Sequence, residues 1–296
     1  MSRRITIVSA GDEKYFRDLH GLVLSILEHR PSGADVSISV IDLGLSAMQL
    51  AELHNRGVTT APGKWNFDFP QQAQTPRWYQ AMSSRPFLPE YFPGFDVYVW
   101  IDADAWLQDW RAVELLCRGA VDVGLAIVPE VHAMYPYLWR QGEVPEFTFK
   151  CYRKTFGEEA ANAMSGRPII NGGVFAMNAA SPWWKLYAKW LVQGYNHSVH
   201  KWAEQCALNL ACATSGEPFR VLPAWANWIC LYAPPVFDPR RQLLCDPLPP
   251  FEPLSIIHLT GQRDPGLQIA TTTGRLFPLP LDYFGFKSAA STLSVG

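Results

Sequence analysis

Apolar and polar residues form three successive regular patterns at the start of the chain. Residues 4–9 alternate between the two classes and then meet a Gly-Asp pair, which is typical of a strand that ends in a tight loop. From Phe16 the apolar positions recur with a helical period, and residues 36–43 alternate again. This strand–helix–strand order predicts a right-handed crossover unit in a parallel sheet.

Later segments continue the mixed pattern. Further strands are predicted at 97–101, 124–128, 174–177 and 255–259, and helices are predicted after Ser181-Pro182 and over 201–213. Residues 55–95 show little period, and we expect them to wrap the core or to line a cleft. We expect residues 130–168 to form a polar, aromatic insertion. We therefore expect an α/β fold with a mostly parallel, Rossmann-like central sheet. It would form one domain over 1–296, with 266–296 as a wrapping tail.

Charge and composition exclude several classes of protein. The 25 Lys and Arg against 27 Asp and Glu give a formal net charge of −2, which argues against a nucleic-acid partner bound through its phosphates. A hydrophobic content of 48% excludes a polar disordered chain. No apolar run is long enough for a transmembrane helix, and the apolar start is too short for a signal peptide, so we expect a cytoplasmic protein. We expect its six cysteines to be buried free thiols.

Two carboxylates, Asp102 and Asp104, follow the compact apolar strand at 97–101. At the carboxyl end of such a strand both can converge on one point, at the edge where open α/β sheets bind ligands. Hard oxygen ligands there suit Mg²⁺ or Mn²⁺. The alternative is a pair of loop aspartates that cap a helix beginning near Trp106.

Four other features are candidate site residues, and the first three of them also have a structural interpretation. His258 ends another predicted strand, as a third metal ligand or as a hydrogen-bonded core histidine. Asn171-Gly172-Gly173 is either a segment whose amide donates to sugar hydroxyls, with glycines that allow close approach, or a tight turn. Glu204 and Gln205 lie early in a predicted helix, and in the structural interpretation they are ordinary exposed residues of that helix. The glycine of Thr260-Gly261 allows the backbone to approach a phosphate closely. The chain contains neither a Walker loop nor a GxGxxG motif.

In this order and spacing, these residues resemble glycosyltransferase family 8 over about residues 4–266. The resemblance implies a retaining, metal-dependent enzyme of the GT-A fold that uses a nucleotide sugar, mostly a UDP-sugar. It implies Mn²⁺, or Mg²⁺, as cofactor and a carbohydrate or glycoconjugate as acceptor. UDP-glucose and UDP-galactose are the expected donors.

The first motifs imply which residues bind the nucleotide part of the donor. Ala10-Gly11-Asp12-Glu13-Lys14-Tyr15 is similar to the family's Ala-Ala-Asp-x-Asn-Tyr segment, in which the aspartate contacts uracil and the tyrosine stacks on it. Ala10, Asp12 and Tyr15 match, whereas Lys14 replaces the usual asparagine. Arg85 resembles the donor-binding arginine of the family's Tyr-Ala-Arg-Leu segment, 17 residues before Asp102.

The later motifs imply which residues bind the diphosphate and the sugar of the donor. Asp102-Ala103-Asp104 resembles the family's DxD site for Mn²⁺ and the diphosphate, with His258 as the further metal ligand. Asn171, Gly172 and Gly173 are similar to the donor-sugar loop. Glu204 and Gln205 match the catalytic Asp-Gln pair, although Cys206 replaces the carboxylate that follows it. Gly261 matches the family's His-x-x-Gly, and Arg263 stands next to the place of its diphosphate-binding lysine, where this chain has Asp264.

Two alternative functions stay open, and two segments allow more than one role. A non-catalytic nucleotide-sugar binder, derived from a transferase, is favoured by Cys206 and Asp264. A self-glucosylating primer enzyme would carry its acceptor tyrosine in its own chain. The aromatic tail after Phe277 allows a weak peripheral contact with a membrane, although it has few cations. Residues 130–168 either form an acceptor-side wall or pack over the sheet.

Overall fold

The first strand of the structure is the apolar segment at Ile5–Gly11 (β1), which lies inside the large sheet. It pairs in parallel with Val36–Asp42 (β2) on one side and with Val97–Ile101 (β4) on the other. The structure is a computed structural model, and it describes residues 3–135, 143–264 and 266–293. In these ranges the predicted strand–helix–strand start is confirmed, since Phe16–His29 (α1) connects β1 to β2.

The remaining elements are spread along the rest of the described chain. The other strands are Thr59–Pro62 (β3), Ala105–Leu107 (β5), Leu125–Pro129 (β6), Ile170–Asn178 (β7), Arg220–Val221 (β8), Trp228–Ile229 (β9), Val236–Asp238 (β10), Leu243–Cys245 (β11), Ile256–His258 (β12), Gln268–Ala270 (β13) and Leu276–Pro278 (β14). The other helices are Ala47–Asn55 (α2), Tyr79–Ser83 (α3), Leu88–Tyr91 (α4), Arg111–Val123 (α5), Glu143–Phe156 (α6), Glu158–Met164 (α7), Trp183–His197 (α8), Ala203–Thr214 (α9) and Tyr283–Leu293 (α10).

The large sheet has the strand order β3-β2-β1-β4-β7-β6-β8. All pairings are parallel except those of β7, which runs antiparallel to both β4 and β6. The expectation of a mostly parallel sheet is therefore confirmed. Because β7 runs in the opposite direction, its first residues lie at the same edge as the last residues of β4. The register pairs Ile101 with Val174, which brings Gly173 next to Asp102.

Helices cover both faces of this sheet. Along β1, Ile7 points into a core shared with α1 and α5, whereas Val8 points into a core shared with α8 and α9. This alternation of side chains between two buried faces is what the period of the first strand predicts. The edge of the sheet where β1 and β4 end is therefore supported from both faces by packed helices.

A second, three-stranded sheet in the order β5-β12-β9 lies beside the large one. β12 pairs antiparallel with β5, in a register that sets His258 opposite Ala105. It pairs in parallel with β9, where His258 faces Ile229. This small sheet therefore holds His258 next to the residues that directly follow Asp102.

Two structural alternatives from the sequence are wrong, and two segments with little predicted structure contain helices and a strand. Residues 105–107 form β5 and the next helix begins at Arg111, so a helix from Trp106 is wrong. Asn171-Gly172-Gly173 lies inside β7, not in a turn. The unpatterned segment at 55–95 contains β3 and two short α-helices, and the insertion at 130–168 contains α6 and α7. Part of the 130–168 segment that is one candidate for an acceptor-side wall, residues 136–142, lies outside the described residues.

The tail packs against the first helix. Tyr283 of α10 lies against Gly21, and its hydroxyl donates to Glu28 at 3.0 Å. Lys287 also bonds to Glu28, at 2.5 Å. All six cysteines are free thiols, as expected. In the described parts of the chain, no helix has both the length and the apolar character needed to cross a bilayer.

Candidate functional site

Three predicted metal ligands, Asp102, Asp104 and His258, converge at the edge where β4 and β12 end. Each offers a ligand atom, and these atoms all lie within 4.8 Å of one another. His258 Nε2 lies 3.4 Å from Asp104 Oδ1 and 3.9 Å from Asp102 Oδ2. Two carboxylates and an imidazole form a donor set that suits Mn²⁺, since a nitrogen ligand favours it over Mg²⁺.

The orientation of His258 is set by Asn227. The distance from His258 Nδ1 to the side-chain oxygen of Asn227 is 2.9 Å. An amide oxygen only accepts, so Nδ1 carries the proton and Nε2 faces the two aspartates. Asn227 in turn donates to the side chain of Asn171 at 3.0 Å, which fixes its own amide. Such outer partners commonly orient metal-binding histidines.

Within the triad, His258 and Asp104 shift each other's pKa in the direction that favours the charged form of both. Burial acts to lower the pKa of His258, but the hydrogen bond and charge of Asp104 outweigh it and raise that pKa. Burial acts to raise the pKa of Asp104, and His258 and Arg263 outweigh it and lower that pKa. A proton on Nε2 and a divalent cation would compete for the same position, which is the usual behaviour of metal sites.

Arg85 bridges two acidic residues beside the triad. Its Nη2 lies 2.5 Å from Asp102 Oδ1, and its Nη1 lies 2.5 Å from Glu204 Oε2. The indole of Trp100 also donates to Asp102 Oδ1, at 2.7 Å. Because Oδ1 is engaged twice, Oδ2 is the oxygen that Asp102 turns toward His258. The same indole ring lies 5.0 Å from the guanidinium of Arg85.

Glu204 is buried below this bridge. Only 2% of its surface is exposed, and the hydroxyl of Tyr187 donates to its other oxygen. Burial raises the pKa of Glu204 to about 7, although the charge of Arg85 acts in the opposite direction. The interpretation of Glu204 as an ordinary surface helix residue is therefore wrong.

Glu130, which no sequence motif singled out, organises a polar network with Asn171 and Gln205 beside the arginine bridge. Its carboxylate accepts hydrogen bonds from Asn171 Nδ2 at 2.8 Å, from Gln205 Nε2 at 3.2 Å and from the hydroxyl of Tyr232 at 2.8 Å. It directly follows β6, which lies next to β7 in the sheet. A carboxylate directly after an apolar strand was the signal that could have revealed it, as it did for Asp102.

The glycines of β7 allow this close packing. A Cβ at Gly173 would overlap His258 and would lie 2.7 Å from Asp102 Oδ2. A Cβ at Gly172 would lie 2.9 Å from Arg85 Nη1. The backbone N–H of Gly172 donates to Gln205 Oε1 at 3.3 Å. This part of β7 can therefore hold only glycine without displacing charged side chains.

A second group of predicted residues lies on the other side of Asp104. Ala10 is buried in β1, and Asp12 caps the following loop by accepting from the N–H groups of Lys14 and Tyr15, both at 3.0 Å. The ring of Tyr15 is 46% exposed, and the guanidinium of Arg263 lies 5.0 Å from its centre. This ring is available for stacking on a planar ligand.

Arg263 connects this second group to the triad. It donates to Asp18 Oδ2 at 2.7 Å, and its charge also acts on Asp104. Gly261 has a positive φ of 94°, at the turn that leads from β12 to Arg263. The described residues thus surround an acidic, partly buried centre with two arginines, which suits a cation bound together with a phosphate group.

Comparisons with known proteins agree with this architecture. No family model matches the sequence, and no curated protein matches it. Among solved structures, the chain is similar to the galactosyltransferase LgtC in complex with donor and acceptor sugar analogs. The TM-score is 0.53 at 16% identity, over 98% of this chain and 97% of LgtC. An active-site mutant of LgtC gives a TM-score of 0.54 at the same identity and coverage.

The bifunctional glycosyltransferase WbbM is also similar in structure. Its TM-score is 0.53 at 17% identity, and the match covers 77% of this chain but only 40% of WbbM. At these identities the likeness shows the fold alone. The chain has the GT-A glycosyltransferase fold.

Proposed function

We propose that this protein is a retaining glycosyltransferase of family 8 that transfers a hexose from a UDP-sugar to a carbohydrate or glycoconjugate acceptor. The observation that carries the proposal is the convergence of Asp102, Asp104 and His258 at the carboxyl edge of the sheet, with Arg85 tied to the first aspartate. The GT-A fold supports it, because ligands of open α/β sheets bind at this edge.

The metal in this proposal is Mn²⁺, held by the two carboxylates and by His258 Nε2. A bound cation would act as a Lewis acid that neutralises the charge growing on the leaving diphosphate. Arg263 is close enough to Asp104 to add a second positive charge on that side. Asp12 and Tyr15 would hold the uracil, with the exposed Tyr15 ring stacked on it.

The sugar lies, in this proposal, between the arginine bridge and the Glu130 network. Arg85 would contact the donor, and the buried Glu204 would hold its guanidinium in place. Gln205 is held by Glu130 and by the backbone of Gly172. A neutral amide is a poor nucleophile, so its role would be to position and stabilise charge at the anomeric carbon.

The test is release of UDP from a panel of UDP-sugars, with Mn²⁺ and with a chelator, in the absence of an acceptor. We expect slow hydrolysis of one or two donors with Mn²⁺ and none with the chelator. Asp102→Asn should lose at least about 100-fold in rate, because the cation loses a charged ligand. The control is Asp122→Asn, an exposed aspartate of α5, which should keep the wild-type rate.

A second candidate is a nucleotide-sugar binder without activity. It is favoured by Cys206, which is buried where the family resemblance implies a second carboxylate. Tight, Mn²⁺-dependent UDP binding without hydrolysis, and without transfer to any acceptor, would support this binder. Failure to bind UDP would overturn both candidates.

A further inference from the structure

The indole of Trp100 donates its hydrogen bond to a carboxylate of the triad. Trp100 stands next to the end of β4 and is 1% exposed, and its Nε1 lies 2.7 Å from Asp102 Oδ1. Other buried indoles of this chain donate instead to backbone carbonyl groups, namely those of Trp106, Trp183, Trp184 and Trp228. Because its acceptor is a candidate metal ligand, the N–H of Trp100 bears on the chemistry of the site.

Two N–H donors use the hydrogen-bonding capacity of Asp102 Oδ1. Arg85 Nη2 donates to this oxygen at 2.5 Å, in addition to the indole. A carboxylate has about four lone-pair sites, which are shared equally between its two oxygens. The two donors therefore fill the sites of Oδ1, and Oδ2 is the oxygen with lone pairs left for a cation. Oδ2 lies 3.9 Å from His258 Nε2.

The same contacts prevent the carboxylate from turning. The backbone N–H of Asp102 donates to the carbonyl of Gly173 at 2.8 Å, so the backbone is fixed to β7. Only rotation of the side chain could then bring Oδ1 toward His258, and this rotation would break the bonds to Trp100 and Arg85. The face of the indole also supports the guanidinium of Arg85, which lies 5.0 Å from the ring centre. Trp100 therefore holds Asp102 directly and steadies its second donor.

A carboxylate that offers one oxygen does not suit all divalent cations equally. Ca²⁺ takes about six to eight oxygen ligands, and it often reaches this number by binding a carboxylate through both oxygens. Mg²⁺ is smaller and requires an octahedral set of closer ligands, which one oxygen from each carboxylate satisfies. The imidazole of His258 adds a nitrogen ligand, which suits Mn²⁺ better than the hard cation Ca²⁺.

We infer that Trp100 is a positioning residue that keeps Asp102 a one-oxygen ligand and thereby disfavours Ca²⁺ relative to Mn²⁺. The inference rests on the proposed function for the presence of a divalent cation at the triad. Trp100 acts through Asp102 and does not itself bind the cation. Its contribution is measurable in the protein without a nucleotide sugar, because it concerns the cation alone.

Competition between Mn²⁺ and Ca²⁺ tests this role in the full chain. Electron paramagnetic resonance of free Mn²⁺ gives the affinity for Mn²⁺, and displacement by added Ca²⁺ gives the affinity for Ca²⁺. Trp100→Phe removes the N–H and keeps an aromatic ring beside Arg85. We expect the affinity for Mn²⁺ to fall about tenfold, as for other outer partners of metal ligands, and that for Ca²⁺ to change by less than about twofold. The preference for Mn²⁺ should therefore fall at least about fivefold.

A second variant and a matched control separate the N–H from the packing of the ring. Replacing the indole of Trp100 by benzothiophene exchanges the N–H for sulfur and keeps the size of the side chain, and we expect the same loss of preference. The control is Trp184→Phe, because this indole is 8% exposed and donates at 2.9 Å to the backbone carbonyl of Asn178. It should keep the wild-type preference, since neither group contacts the triad.

The outcomes distinguish this inference from the proposed function. An unchanged preference in both Trp100 variants overturns the inference, even if UDP-sugars are cleaved with Mn²⁺. An equal loss of affinity for both cations also overturns it, because a general loosening of the site would have that effect. If the variants lose the preference but no UDP-sugar is cleaved, the proposed transferase activity fails and the role of Trp100 stands. A wild-type protein that binds neither cation overturns both.

Discussion

His258 and Asn227 are joined by a hydrogen bond of 2.9 Å that fixes which nitrogen of the imidazole faces the two aspartates. Asn227 directly precedes β9, and His258 ends the neighbouring β12. The bond therefore crosses between two strands of the small sheet. Because Asn227 is itself held by Asn171, the Glu130 network and the triad of Asp102, Asp104 and His258 form one continuous network.

The first prediction concerns this bond. Asn227→Leu leaves Nδ1 of His258 without its acceptor, so the imidazole loses its fixed tautomer and orientation. We expect Mn²⁺ affinity to fall by about 10- to 100-fold, the usual effect of losing an outer-shell partner. Free Mn²⁺, measured by electron paramagnetic resonance during titration, gives the affinity directly.

A matched control separates this effect from a general loss of stability. Asn178→Ala removes a side chain that donates at 2.8 Å to a backbone carbonyl of α5, away from the triad. It should lower the free energy of unfolding by about 1 kcal/mol without changing Mn²⁺ affinity. An Asn227→Leu protein that binds Mn²⁺ like the wild type would show that the hydrogen bond has no role in the metal site.

The second prediction concerns Arg263. This side chain reaches back over Tyr15 and Asp18, yet its charge acts on Asp104. Arg263→Ala should therefore lower kcat/KM for the donor by about 100-fold, because a charge-assisted contact to the leaving group is lost. Steady-state hydrolysis of the best UDP-sugar measures it.

Arg17→Ala is the matched control for Arg263. Arg17 lies on α1 and bonds to Asp282, with most of its side chain exposed. Its loss should leave donor hydrolysis unchanged. If both substitutions have the same small effect, Arg263 only holds Asp18 at the surface and does not stabilise the charge of the leaving group.

Local patterns made part of this fold predictable. β1, α1, β2 and β4 were predicted because each buries its apolar positions at a regular period along a short stretch of chain. Both aspartates of the metal group follow from the same reasoning, since the carboxyl end of a buried strand is where such sheets bind ligands. Both the burial period of an element and the point where a strand ends depend on residues that are close together in the chain, so the sequence alone reveals them.

The parts of the fold that the sequence does not predict depend on contacts between distant residues or on weak local patterns. β3 has no fully buried residue, so its strand pattern is weak, and α2 is marked mainly by the capping box of Ser46 and Gln49. The pairing of β12 with β5 brings together residues far apart in the chain. Glu130 stood in a segment interpreted as an insertion, and only the direction of β7 shows that it meets Asn171.

The third prediction concerns Glu130. Its carboxylate accepts from three donors, and Glu130→Gln would turn an NH₂ group toward one of them. We expect a loss of about 1–3 kcal/mol in the free energy of unfolding, the cost of an unmatched buried donor. Because Gln205 and Asn171 would also shift, kcat should fall by at least about tenfold.

Urea denaturation and steady-state transfer measure these two effects. Tyr232→Phe serves as comparison, because it removes one donor to the Glu130 carboxylate without introducing a mismatched one. It should have the smaller effect on both quantities. A Glu130→Gln protein with wild-type kcat would mean that the network does not position Gln205.

The fourth prediction is a pH dependence of stability that originates in Glu204. Burial raises the pKa of Glu204 from its ordinary value of 4.5 to about 7 in the folded protein. Between these values the folded state binds more protons than the unfolded state, so the contribution of Glu204 to stability decreases as pH rises. A shift of this size corresponds to roughly 3 kcal/mol across the whole interval.

The measurement compares the wild type with Glu204→Gln, without added metal, by urea denaturation between pH 4.5 and 8. The glutamine keeps the size of the side chain and cannot titrate, while Arg85 keeps its bond to Asp102. The difference in unfolding free energy should therefore shift in favour of the variant as pH rises toward 7. Glu217→Gln, at an exposed position, should follow the wild-type profile. A constant difference across this range would mean that Glu204 stays ionised, stabilised by Arg85 more strongly than burial opposes it.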